Sequence, residues 1–158
     1  MKKIILILVA SMVLACQVSL AQNFSELANY EFKTPESYKT GESQVLLCAN
    51  YLFSHPANAA ELDRLNATKY ILNWMMGTPD YTFAIGANAT ELTKGSDELF
   101  GLYMAALSKV VLEHTGDALP DGDIHNHAEK LLVDYCAVAD NHIKPSKRIK
   151  KILKEREG

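Results

Sequence analysis

Apolar side chains recur every three to four positions through most of this chain, and no long stretch alternates apolar with polar residues. A spacing near 3.6 lines one face of a helix, whereas a spacing of two lines one face of a strand. The pattern therefore predicts an all-α fold. The first main helix is expected from about Glu42 to Phe53, with Val45, Leu46, Cys48, Ala49 and Leu52 inward. Thr34-Pro35 reads as a helix opening before it, because proline suits the first turn. Gly41 is expected to break that opening, and His55-Pro56 to stop the helix. The second helix is expected from about Asn58 to Met76. Asn58 and Glu61 would cap it, and Leu62, Leu65, Tyr70, Ile71, Trp74 and Met75 would lie near one face. Gly77 would end it in a left-handed cap.

Ala87 to Thr93 reads as a brief helix. Ser96 caps the third main helix, with Asp97 and Glu98 in its first turn. This helix runs to about Glu113 and packs through Leu99, Leu102, Tyr103, Ala106, Val110 and Val111. A fourth, capped by Asp123, runs to about Val138. A basic last helix starts from about position 146, with Ser146 as its cap. The expectation is one domain of about five helices, packed as tetratricopeptide-like hairpins or as an irregular bundle. One internal echo supports hairpins. Ala67 to Met75 (ATKYILNWM) aligns with Ala128 to Cys136 (AEKLLVDYC), so Trp74 and Tyr135 take equivalent places. Trp74 is expected to anchor the core, and Tyr135 to do so with its hydroxyl at the surface. The 34-residue tetratricopeptide signature is absent.

The N-terminus reads as an export signal. Lys2 and Lys3 precede an apolar stretch from Ile4 to Ala15, interrupted only by Ser11. That stretch is shorter than the roughly 20 apolar residues a membrane-spanning helix needs. Ser19-Leu20-Ala21 places small residues where signal peptidase requires them. Residues 1–21 are therefore expected to be a signal peptide and 22–158 the helical domain. A competing route uses Val13-Leu14-Ala15-Cys16, which resembles a lipobox. Lipidation of Cys16 would anchor the domain in the envelope without a spanning helix. The protein is expected to be periplasmic or secreted, or alternatively lipid-anchored.

Beyond the signal, NWMMGTPDY (Asn73 to Tyr81) and LTKGSDELFGLYMAAL (Leu92 to Leu107), with the SLAQ cleavage region, resemble a group of small exported proteins from Bacteroidota-type bacteria. The resemblance covers most of the mature chain. It implies export and an all-α fold, and it carries over no catalytic residue.

Charge is unevenly placed. Residues 22–143 hold 17 Asp/Glu against 7 Lys/Arg, a formal −10, whereas the last 15 residues hold seven Lys/Arg against two Glu. An acidic body disfavours nucleic acid, since phosphate neutralisation needs a basic surface. The basic tail reads as a helix with a solvated face, docked through Ile149, Ile152 and Leu153; contact with an acidic partner or anionic lipid is its other reading.

Two groups are candidates for chemistry. The first is DGDIHNH with Glu129: Asp121, Asp123, His125, His127 and Glu129 are all possible metal ligands. On a helix, however, His125 and His127 point about 200° apart and cannot share one ion; capping and a solvated face explain the same residues. The second is the aromatic group of Trp74, Tyr81 and Phe83 with Met76, near Phe100, Tyr103 and Met75. Such residues either fill a core or line a ligand or partner surface. Cys48 and Cys136 sit in apolar runs and read as buried thiols. No nucleophile motif, phosphate loop or zinc-protease motif occurs, and no cofactor is implied.

The expected function is thus a non-enzymatic interaction or accessory protein of the cell envelope, with an unidentified protein partner. Membrane contact is expected only through Cys16 lipidation or the uncleaved signal. A small-ligand or metal-binding periplasmic protein is the alternative, and an enzyme of unrecognised type the third.

Overall fold

A computed structural model describes residues 24–58 and 61–158. Among these residues there are seven α-helices and no strand, so the fold is all-α. The helices are α1 (Phe24–Leu27), α2 (Pro35–Ser54), α3 (Glu61–Met75), α4 (Ala87–Thr93), α5 (Asp97–Glu113), α6 (Asp121–Ala137) and α7 (Lys147–Glu157), with a 3-10 turn at Ala139–Asn141. That is two more than the five or so expected from periodicity. The two beyond that count are α1, too short to show a full apolar stripe, and α4, which matches the brief helix expected at Ala87 to Thr93.

The helix starts follow local chemistry. Thr34 caps α2 in a capping box: its side chain accepts from the Ser37 amide, and Ser37 accepts from the Thr34 amide. Ser96 accepts from the Leu99 amide to cap α5, and Ser146 from the Ile149 amide to cap α7. The cap expected at Asp123 is displaced. Helix α6 begins three residues earlier, after Pro120 at φ −58° and ψ 148°, so Asp121 and Asp123 both lie in its first turn. The cap expected at Asn58 borders Ala59 and Ala60, which lie outside the described residues.

Two glycines behave differently from expectation because of distant neighbours. Helix α2 runs unbroken through Gly41, which is buried; a Cβ there would meet the Phe32 ring at 2.8 Å and the Tyr70 hydroxyl at 3.1 Å. Gly77 is not left-handed, since Gly95 is the positive-φ glycine of the described residues. Its missing side chain instead makes room for the Tyr38 hydroxyl.

Helix α5 is the centre of the fold. Eleven of its residues are buried, from Leu99 to Leu112, and it packs against α2, α3, α4 and α6. Gly101 lets α3 approach closely, because a Cβ there would meet the Thr68 methyl at 2.8 Å. Helices α2 and α3 pack together, as do α5 and α6, and α7 lies on α4 and α6 through Ile149 and Ile152.

The start of α3 departs from the expected single stripe. Ala67, Tyr70, Ile71 and Trp74 are buried, but Leu62 and Leu65 are 64% and 62% exposed. The buried place in that first turn goes to Arg64 instead, at 6% exposure. Its Nη1 donates to the carbonyls of Leu52 (3.0 Å) and His55 (3.2 Å). The reason is in the sequence of α2. The residue four positions after Leu52 is Pro56, which has no N–H to close the helical bond, so the Leu52 carbonyl needs a donor from elsewhere. The Tyr135 hydroxyl donates to the same His55 carbonyl at 2.8 Å, and Tyr135 is otherwise buried, as expected of a core anchor.

Candidate functional site

The DGDIHNH segment forms the first two turns of α6, and its polar groups disperse. His125 reaches inward, where its Nδ1 lies 2.9 Å from the Tyr103 hydroxyl. Burial, and then the nearby Glu129 carboxylate, push the Tyr103 hydroxyl upward in pKa, so it keeps its proton and can donate to the imidazole. His127 turns the other way, and its Nδ1–H donates to the Asp123 carbonyl at 2.7 Å. Its ring lies 5.9 Å from that of His114, whose own Nδ1–H donates to the Val110 carbonyl at 2.8 Å. Asp121 and Asp123 are exposed in the first turn of α6, where their charge favours the helix start. Among the described residues no three His, Cys, Asp or Glu side chains converge as a metal site would require.

The aromatic group divides between interior and surface. Trp74 has no exposed surface; its ring packs against Tyr81 at 5.5 Å and Phe83 at 5.8 Å. Tyr81 and Phe83 cover it from the chain after α3 and are themselves only half-buried. Met76 is 78% exposed and sits apart, beside an open aromatic hollow formed by Tyr30, Phe32 and Tyr38. Cys16 lies outside the described residues.

Cys48 and Cys136 are buried free thiols on α2 and α6. Burial pushes the Cys48 thiol up to about 12 and the Cys136 thiol up to about 11. At neutral pH both are protonated and poor nucleophiles, because attack requires the thiolate.

A further concavity among the described residues is one that periodicity did not point to. It is a groove of about 670 Å³ between α3, from Glu61 to Leu72, and the first half of α5. Leu65, Thr68 and Leu72 form one wall, and Phe100, Gly101 and Leu102 the other. One end is charged, with Glu61, Asp97 and Glu98 around the buried Arg64, whose Nη2 lies 3.9 Å from Glu98. The fold produces the groove directly: the close approach at Gly101 and Thr68 sets its floor, and Leu65 is left outward because Arg64 takes the inward place. The only sequence signal was an excess. Apolar residues occur on two faces of α3, more than one buried stripe needs.

No family model matches the chain, and no curated protein or solved structure is found to be similar to it.

Proposed function

We propose that this protein is an exported, non-enzymatic interaction module of the cell envelope, and that it holds a partner in the groove between α3 and α5. The observation that carries this reading is the pair Leu62 and Leu65. Two leucines four-tenths or less covered, on a helix whose other face is fully packed, are costly to leave in water and inexpensive to cover. The groove beside them has apolar walls and an acidic end, a shape suited to an amphipathic segment bearing a basic residue at one end. The pairing of α2 with α3 and of α5 with α6 supports a reading as two stacked hairpins of the tetratricopeptide kind, a fold that presents such grooves. Support for a non-enzymatic role comes from the raised thiols and from the lack of any nucleophile motif in the sequence.

The test is capture from an envelope extract with the native chain as bait, beside a Leu62→Ser/Leu65→Ser variant. Both positions are exposed, so the variant should fold with near-native stability. A partner retained by the native chain and lost by the variant supports the groove; identical captures by the two would reject it. The groove also falls within the roughly 300–1,000 Å³ usual for small-molecule sites, so a small apolar ligand is the second reading. Native mass spectrometry of protein taken directly from cells distinguishes the two, since a small ligand travels as a fixed added mass.

Export rests on the N-terminal sequence. Cleavage after Ala21 gives an intact mass starting at Gln22, and Cys16→Ala then leaves location unchanged. A diacylglyceryl mass on Cys16 would replace this with the anchored form.

A further inference from the structure

We infer that the outward face of α7 is a docking surface for an anionic lipid bilayer. The helix is held to the body by one side only. Ile149 is fully buried, Ile152 is 9% exposed, and Arg156 pairs with Asp134 of α6 at 2.8 Å. At about 100° per residue, those three share one arc, and Lys147, Lys150, Lys151 and Lys154 fall together on the opposite arc. All four are exposed. Lys151 lies 3.7 Å from Glu155, an exposed pair that holds its charge weakly.

The charge distribution of the whole chain gives this face a direction. Seven of the basic residues lie in the last 15 positions, whereas residues 22–143 carry a formal −10. A negatively charged bilayer therefore repels the body and attracts α7, so only one orientation brings the protein to the surface. The residue type fits a fluid surface as well. Four lysines on a convex ridge are mobile point charges, without the forked guanidinium geometry or concave pocket that selects a single phosphate. A nucleic-acid duplex is the competing polyanion, and it is one of the outcomes of the test. Each lysine near an anionic bilayer contributes on the order of a fivefold gain in partitioning, so the four act as one surface.

The test is vesicle co-sedimentation of the full chain as isolated from exporting cells. It compares phosphatidylglycerol-containing with pure phosphatidylcholine vesicles. Native protein, a Lys147→Gln/Lys150→Gln/Lys151→Gln/Lys154→Gln variant and the corresponding four Lys→Arg substitutions are run side by side, with identical N-termini checked by mass. The expected result is binding of native and arginine forms to the anionic vesicles only, release near 1 M salt, where the screening length is about 3 Å, and at least a tenfold loss in the glutamine form. Equal binding by the glutamine form, or no preference for anionic vesicles, overturns the proposal. So does duplex DNA binding as tight as vesicle binding, which would make the face a general polyanion site. Self-association that the glutamine substitutions abolish in the absence of vesicles would instead assign the face to a second copy of the chain.

Discussion

The Trp74 indole N–H donates to the Tyr38 carbonyl at 3.1 Å, tying the end of α3 to the first turn of α2 across 36 positions of sequence. The ring itself is wholly buried. Trp74→Ala should therefore cost about 3–5 kcal/mol, a large part of the roughly 5–15 kcal/mol available to a domain. Trp74→Phe keeps most of the apolar contact and loses the hydrogen bond, so it should fall between native and alanine forms. Trp74 is the chain's single tryptophan, so urea unfolding must be followed by circular dichroism. An alanine form within about 1 kcal/mol of native would place Trp74 outside the core.

Arg64 and Tyr135 converge on one acceptor, the His55 carbonyl, and this makes a non-additive prediction. Arg64→Met leaves the Leu52 carbonyl without a donor and should cost about 1–3 kcal/mol. Tyr135→Phe alone should cost less, since Arg64 still serves His55. With both changes His55 loses both donors, so the double mutant should be destabilised by more than the sum of the single changes. Strict additivity in denaturant unfolding would show that the two side chains do not share the carbonyl.

Glycine substitutions should split by neighbourhood. Alanine is ordinarily favoured over glycine inside a helix by roughly 0.5–1 kcal/mol. Gly122, in the first turn of α6, has no atom within 4 Å of a built Cβ, so Gly122→Ala should stabilise. Gly41→Ala should destabilise despite the same propensity gain, because the new methyl meets Phe32 and Tyr70. Thermal midpoints of the two variants moving in the same direction would count against this packing.

What was legible in the sequence was local. Thr34-Pro35, Ser96 and Ser146 marked helix starts because a cap depends on residues three positions away. The buried side of α2 was legible because it carries one continuous apolar stripe, whereas α5 is buried all round from Gly101 to Ser108, more than the single stripe expected of it. Gly41 and Gly77 were misread because the residues that crowd them lie outside their own helical turns: the Phe32 ring and the Tyr70 hydroxyl at Gly41, and Tyr38 at Gly77. The inward place of Arg64 depends on Pro56 having removed an N–H from α2, a link between two helices that no periodicity contains. The groove was hidden for the same reason: Leu65, which lines it, and its neighbour Leu62 look like core residues until Arg64 is known to hold the buried side of that turn.

The two thiols make stability depend on alkaline pH. Both are pushed above the ordinary 9.0 by burial, Cys48 to about 12 and Cys136 to about 11; a hydrogen bond from Gln44 offsets part of the effect at Cys48. Below pH 9 the folded and unfolded chains hold these protons equally, so the thiols add no pH dependence. Between pH 9 and the folded-state values the unfolded chain has released them and the folded chain has not. Each rise in pH then favours unfolding, and the stability present below pH 9 is progressively lost. Lysines and exposed tyrosines also titrate in this range, so the measurement is a comparison. Urea midpoints of native protein and of a Cys48→Ala/Cys136→Ala variant, taken from pH 7 to pH 11, should be offset by a constant amount up to about pH 9. Above that the native curve should fall more steeply, narrowing the gap. At pH 8 iodoacetamide should modify neither thiol until urea unfolds the chain. Parallel curves to pH 11, or alkylation of folded protein, would show that Cys48 and Cys136 are open to solvent and that α2 and α6 do not enclose them as described.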